Sequence, residues 1–293
     1  MSDTTSTAPF PSSPVLLLVG AGRVGMNLLR YCATRGMAIA MVVEPEIQRH
    51  PSIRGTVPDA AVLSRVPARL PAGITHVVLA VPDALIAHVA QELRHILTPG
   101  HSPLVFHCSG TLGSDQLSPL VAVGCLAGCM HPMQSFHSDD LENNDLEGIG
   151  CGIEGSDAFW RAARTFAESL DWHPLRVDAA RKVLYHAACV FAGNFTTVLA
   201  AVAEDLLHRA ATDSADAKLS HLLPMMRTVL ARLEKTPPGT ALTGPAARGD
   251  RETIARHRRT LEAVDPELAE LYAGLSELAA RVVKGERGEE VKG

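Results

Sequence analysis

Three histidines stand where an open α/β fold gathers reactive groups. His107 closes one apolar run, His131 closes the next, and His186 falls early in a long helical pattern. Carboxyl ends of neighbouring parallel strands converge, so His107 and His131 are expected to approach each other at the ligand-binding edge of a sheet. An imidazole near its neutral pKa can give a proton to a substrate oxygen or nitrogen as hydride reaches carbon. Taken singly, each is more readily read as a hydrogen-bonded structural histidine; their shared position at the sheet edge favours the reactive reading. Lys182, His186, Cys189 and Gly193 form one helical stripe at i, i+4, i+7 and i+11, with Asn194 roughly 80° around from His186. Its functional reading is a reactive face. Its structural reading is a helix end reaching solvent at Lys182, with Gly193 allowing close packing. Ser109 and Asn194 are the groups able to orient a reacting heteroatom. The remaining candidates for notice, His50, His88, His95, His101, His208 and His257, fall on expected surfaces.

Cys125, Cys129, His107 and His131 raise the question of zinc. Within a strand, Cys-x3-Cys puts both thiols on one face but about 13 Å apart, at ~3.3 Å per residue. Ligands to one zinc lie about 2.0–2.3 Å from the ion, so that pair is rejected and no metal site is assigned. A metal held by His107, His131 and His186 is the weakest reading of the histidines.

Gly20-Ala21-Gly22-Arg23-Val24-Gly25 spells GxGxxG directly after a buried apolar run and at the start of a helical pattern. The first glycine makes the tight turn, the second lets backbone approach a pyrophosphate, and the third lets helix pack on strand. The helix N-terminus then faces an anion with free N–H groups. Glu44 ends the next strand about 20 residues after Gly25, where a carboxylate accepts from ribose hydroxyls and repels a 2′-phosphate. That leans toward NAD, although Arg23 and Arg49 can serve a 2′-phosphate. Ala80-Val81-Pro82-Asp83 ends a central strand and is expected to line the nicotinamide side of the crevice.

These groups need a sheet to hold them. Apolar runs at Val15–Val19, Ala38–Val43, 76–81, 104–106, 124–130, 150–153 and 173–177 alternate with helical patterns at 26–35 and 85–97. Alternation of this kind predicts a doubly wound parallel sheet. Beyond Asp178 the pattern is all helical: one helix over 179–210, roughly 45 Å long at 1.5 Å per residue, then 215–235, 251–264 and 267–283. Asp250 and Asp265 read as N-caps. The expected organisation is a tail at 1–13, an α/β dinucleotide-binding domain at 14–177, a helical domain at 178–283, and a charged tail at 284–293.

Composition excludes several alternatives. With 46% hydrophobic and 20% charged residues the 293-residue chain is neither disordered nor a disulfide scaffold. A net charge of −5 and only 4% aromatics argue against nucleic acid. Six cysteines in apolar contexts and no signal-peptide pattern point to a reducing cytoplasm. No uncharged apolar run of membrane-spanning length is read from the sequence.

The whole pattern resembles the Rossmann-like proteins with a DUF2520 carboxyl-terminal domain, expected to be NAD(P)-dependent oxidoreductases and distantly similar to pyrroline-5-carboxylate reductase and the 6-phosphogluconate dehydrogenase superfamily. The resemblance rests on the glycine loop, Leu79 to Asp83, His107-Cys108-Ser109-Gly110, His131 to Phe136, His186 to Asn194, and the GPxxRGD loop Leu242 to Asp250. It implies a homodimer whose helical domains pack together and complete the site. Relatives with a Ser-Arg pair at the second strand end suit NADP; Glu44-Pro45 stands there instead. In the GPxxRGD loop, Thr243, Gly244 and Gly249 permit a tight turn, and Arg248 presents a two-pronged donor suited to a carboxylate. The expected chemistry is hydride exchange between NAD(P) and a small carbonyl or imine bearing a carboxylate. His131 or His186 supplies the proton, Ser109 or Asn194 orients the heteroatom, and Lys182 belongs to the same face. Arg248, Thr243 and His107 bind substrate. The alternative is a non-catalytic dinucleotide-binding redox sensor or regulatory subunit.

Overall fold

The computed structural model describes residues 14–71, 73–97, 103–136 and 143–285. The expected amino-terminal tail, nearly all of the carboxyl-terminal one, and His101 lie outside the described residues. Eight strands form a single sheet: β1 Val15–Val19, β2 Ala38–Val43, β3 Ala61–Leu63, β4 His76–Leu79, β5 Leu104–His107, β6 Leu126–Pro132, β7 Gly150–Gly155 and β8 His173–Arg176. Their order is β3-β2-β1-β4-β5-β6-β7-β8. The helices of this half are α1 Arg23–Thr34, α2 His50–Thr56, α3 Asp83–Arg94, α4 Ser118–Val121, α5 Asp157–Ser169 and α6 Lys182–Ala192.

Why the apolar runs become central strands is visible in their burial. Leu16 and Leu18 pack on one face with α1 and α5, whereas Leu17 and Val19 pack on the other with α3 and α4. Helices on both faces require strands apolar on both sides, which is what a continuous run supplies. The doubly wound architecture is therefore as expected, with two corrections. β7 runs antiparallel to β6, pairing His131 with Gly152 and Cys129 with Glu154, and β8 then runs parallel to β7. The three-residue β3 escaped the sequence reading because Ala-Val-Leu is too short to show a period.

The chain divides into two compact units, parting between Thr197 and Val198. The single helix expected over 179–210 is instead a 3-10 turn, α6, a break at Gly193 and α7 Asn194–Ala210. By length and composition Ala179–Ala210 would pass for a membrane span, with a window of mean hydropathy 1.5 of which 6% is buried in the chain. The sequence reading named no span there, although 183–203 holds no Asp, Glu, Lys or Arg. The second unit continues with α8 Leu223–Leu233, α9 Pro238–Ala241, α10 Pro245–Arg248, α11 Arg251–Val264 and α12 Pro266–Lys284. The long helix expected over 215–235 is shortened: two 3-10 turns precede α8, and Pro224 opens it. Asp250 caps α11 through Thr253 N, and Asp265 caps α12 through Glu267 N and Leu268 N, both as expected.

Candidate functional site

The glycine loop is built as its spacing requires. Gly20 has φ +90°, which only glycine adopts without strain, and a Cβ there would lie 2.7 Å from the Ala80 carbonyl oxygen. A Cβ on Gly25 would lie 2.0 Å from the Gly20 carbonyl oxygen, so α1 packs against the turn at a distance only hydrogen allows. At Gly22 a Cβ would meet only Arg49 Nη1, at 3.3 Å. Gly22 caps α1 without a side-chain hydrogen bond, which leaves first-turn N–H groups available to an anion. Arg23 is exposed at the head of the helix and Val24 half-buried.

Glu44 proves to brace this loop. It is 4% exposed. Its Oε2 accepts from Ala21 N at 2.6 Å and its Oε1 from Glu46 N at 2.8 Å. Arg49 donates from Nη1 to the Ala21 carbonyl at 3.0 Å and from Nε to Glu46 at 3.1 Å. His50, expected on the surface, is buried with Nε2 2.7 Å from the Glu44 carbonyl oxygen. The helical turn opened by Pro51 folds it inward. Ala80, Val81 and Pro82 lie beside the loop: Val81 Cγ1 would be 2.9 Å from a Cβ on Gly20.

Further along the same edge the expected pair does not form. His107 is fully buried, and both its ring nitrogens are engaged: Nε2 with the Gly113 carbonyl at 3.0 Å and Nδ1 with Ser109 N at 3.2 Å. Burial holds its pKa below the ordinary value, opposed by the Gly113 bond. It fixes the 107–113 turn and has no nitrogen left for a substrate. Ser109 is likewise committed. Its hydroxyl donates to Asp83 Oδ2 at 2.8 Å and accepts from Leu112 N at 3.0 Å and Thr111 N at 3.2 Å.

His131 meets His186 instead, with ring centroids 5.8 Å apart at 70°. The reason is Gly110, where a Cβ would lie 2.2 Å from His186 Cδ2 and 3.0 Å from His131 Nε2. The sequence reading missed a third ring. Tyr185 Oη lies 2.7 Å from His131 Nδ1, and the rings stand edge-on at 5.6 Å. Its seat is Gly152, where a Cβ would fall 2.3 Å from that hydroxyl. Burial, with the charges of His186 and Lys182, pulls His131 down to about 4, Asp83 opposing. Burial pushes Tyr185 far above the ordinary phenol. The rings open onto a cleft of about 510 Å³ whose walls include Met133, Gln134, Cys189, Gly193 and Asn194.

Lys182 belongs to neither of its expected readings. It does not emerge to solvent, being 3% exposed, and it is absent from the cleft wall. Its ammonium lies 3.8 Å from Glu154 Oε2 and has no hydrogen-bond partner among the described residues. Glu154 accepts from Ser114 N at 2.6 Å and Ser114 Oγ at 2.8 Å. The pair lies beside Cys129, whose thiol donates to the Ser109 carbonyl at 3.1 Å. Burial pushes Cys129 up to about 11, Lys182 opposing. All six cysteines are free thiols, with Cys108 and Cys189 partly exposed and the rest buried. Among the described residues no His, Cys, Asp and Glu cluster is built to hold a metal.

Thr243 and Arg248 lie in the second unit. Gly244 and Gly249 take φ +91° and +69°, making the tight turn that the loop composition predicted. Arg248 lines a groove of about 760 Å³ with Arg251, Arg258, Ser276 and Glu277. Thr243 is exposed and outside that groove.

Residues 10–132 match the model of a Rossmann-like domain, and residues 149–279 match that of DUF2520, a domain of unknown function. Among solved structures, a protein from Thermotoga maritima is 24% identical with a TM-score of 0.70, covering 93% of this chain and 99% of that one. One from Bacteroides fragilis described as an NADP oxidoreductase is 23% identical with a TM-score of 0.67, covering 92% and 98%. A pyrroline-5-carboxylate reductase from Coxiella burnetii is 16% identical with a TM-score of 0.58, covering 94% and 99%. At these identities the likeness establishes the fold. No curated protein matches the chain.

Proposed function

We propose that this chain, which belongs to the proteins joining a Rossmann-like domain to a DUF2520 domain, is an NAD(P)-dependent oxidoreductase acting on a small carbonyl or imine that carries a carboxylate. One observation carries the reading. A glycine loop fit for a pyrophosphate and a pair of histidines opening on a cleft share one edge of one sheet. The structural neighbours described as an NADP oxidoreductase and a pyrroline-5-carboxylate reductase support it.

The loop residues fit the dinucleotide: Gly22 leaves room above the backbone, and the head of α1 carries no side-chain cap. Gly20 to Gly25 would hold the pyrophosphate, and Ala80, Val81 and Pro82 would flank the nicotinamide half. The nicotinamide supplies or takes the hydride when bound. His131 and His186 hold the proton that the reacting oxygen or nitrogen exchanges, and Asn194 orients that atom. Ser109 acts behind them by fixing the turn that carries Gly110. Arg248 is the donor offered to a carboxylate. Glu44 has both oxygens taken by Ala21 N and Glu46 N, so the lean toward NAD rests on its charge and not on a free ribose acceptor, and Arg49 beside Gly22 is the residue that would serve NADP.

A second copy of the chain is the proposed partner. Val183, Leu184 and Phe191 on α6 are 63–72% exposed, as is Met225 on α8 at 62%. A homodimer would bury these faces. A bilayer is the poorer match, because α6 also carries the buried Lys182 and the half-buried Tyr185 and His186. Soluble, cytoplasmic placement accords with this.

The test is a titration with NADH and NADPH, followed by fluorescence and thermal shift, on the wild type and Gly22→Asp. Tight binding of one cofactor that the variant abolishes is the expected result. Absence of binding to either would overturn the reading.

A further inference from the structure

His131 and His186 sit side by side, yet they are held differently. Neither nitrogen of His186, nor Nε2 of His131, hydrogen-bonds to another described residue. Nδ1 of His131 alone is taken, by Tyr185 Oη at 2.7 Å. The Tyr185 hydroxyl has one proton and two oriented acceptors on His131, the ring nitrogen at 2.7 Å and the backbone carbonyl at 3.4 Å. The 2.7 Å contact fits either direction of donation, and we read it as the hydroxyl donating to Nδ1. Nδ1 is then the acceptor, and the ring proton stands on Nε2. That nitrogen is the one beside Gly110, where a Cβ would approach it to 3.0 Å.

We propose that Tyr185 is a positioning residue: its hydroxyl holds His131 as the neutral tautomer with its proton on Nε2, and this N–H is the donor that the cleft offers to a carbonyl oxygen or imine nitrogen. The assignment deepens the oxidoreductase reading and rests on it for the identity of the acceptor.

The surroundings hold His131 in that state. His186 and Lys182 on α6 face it with positive or potentially positive charge, and Asp83 at the head of α3 is the opposing carboxylate. His107 on β5 is locked by its own two bonds, and Glu154 on β7 is engaged by Ser114 and Lys182. Buried and next to a buried ammonium, the ring has its pKa drawn down to about 4. A neutral imidazole whose Nδ1 accepts from the tyrosine donates from Nε2. Gly152 and Gly110 act as seats: a methyl group at either would strike Tyr185 or His186.

The experiment is a long-range 1H–15N correlation spectrum of the full chain labelled in histidine, from pH 5.5 to 8. His131 is assigned by the signals lost in His131→Gln. The expected wild-type pattern is a single Nε2–H tautomer, constant across the range. In Tyr185→Phe the pattern should give way to averaged tautomers or to titration within the range. Gly152→Ala should do the same, and serves if Tyr185→Phe fails to fold. A wild-type His131 with its proton on Nδ1, one that titrates between pH 5.5 and 8, or a Tyr185→Phe spectrum unchanged from wild type would overturn the assignment. NADH titration of the same samples separates the two readings. A fixed tautomer without cofactor binding would sink the oxidoreductase and leave the tyrosine's role. Cofactor binding with an unfixed tautomer would do the reverse.

Discussion

One sheet edge carries two kinds of site. At the β1 end the geometry belongs to the backbone: Gly20 supplies a positive φ, and Gly20, Gly22 and Gly25 differ in what lies next to a hydrogen atom. At the β6 end it belongs to side chains from four elements, β6, β7, α6 and the turn after β5. The first is local, so its spacing in the sequence is its structure. The second is assembled from positions far apart in the chain, and its members are chosen by contact. His107 and His131 make the contrast concrete. They end adjacent strands, but the 107–113 turn consumes both nitrogens of His107, and the glycine at 110 opens one nitrogen of His131 to the cleft.

If the contrast holds, replacements at the two ends should fail in different ways. The largest effect is expected for Gly25→Val, whose branched side chain has no path past the Gly20 carbonyl; a loss of about 3 kcal/mol or more in urea denaturation is anticipated. A stability within 1 kcal/mol of wild type would mean the loop is softer than described. Next comes Glu154→Gln, which leaves the Lys182 ammonium buried without its counter-charge and should cost about 3 kcal/mol. Lys182→Met removes the ammonium, which has no hydrogen bond among the described residues, while Ser114 still serves Glu154, and should cost less. If the order were reversed, the ammonium would have a partner unaccounted for.

Acid should weaken the chain through its buried histidines. His76, by burial, and His131 are both held at about 4 against an ordinary 6.5. The unfolded chain therefore takes up these protons first. Stability is fully present above pH 6.5 and is lost as pH falls toward 4, by on the order of 2 kcal/mol per group. The gap between urea midpoints at pH 7 and 4.5 should narrow in His76→Gln and in His131→Gln, each of which removes one of the two groups; a gap equal to that of the wild type would contradict the assignment. The smallest effect on stability is expected at Gly22→Ala, within about 0.5 kcal/mol, because only the mobile end of Arg49 must give way. NADH affinity measured on the same variant should nonetheless fall, separating a glycine kept for a ligand from one kept for packing.

This division also explains what the sequence made legible. Apart from the three-residue β3, the strands from Val15 to His173, the glycine loop and the caps at Asp250 and Asp265 were readable because each is set by neighbours within a few residues. Tyr185 and Glu154 were not: each lies in an ordinary apolar stretch, and only the β6–β7 register brings them to His131 and Lys182. Lys182 was noticed as odd in its stripe, yet its burial could not be read without its partner. Glu44 was placed correctly at a strand end, but its hold on Ala21 N depends on a fold-back that spacing does not show. The reversal at β7 was hidden because an antiparallel strand buried on both faces has the same composition as a parallel one.

That reversal has a consequence for how the pocket comes into being. Gly152 and Glu154 are two residues apart, so they project to one face of the sheet, the face of the residues they pair with, His131 and Cys129. Sliding β7 by one residue would turn both of them away together. The seat of the tyrosine and the counter-charge of the lysine thus share one parity. Insertions of two residues in this strand could preserve it, whereas any odd change would abolish both at a stroke. A register slip would therefore remove both together, whereas a substitution at either position removes only one.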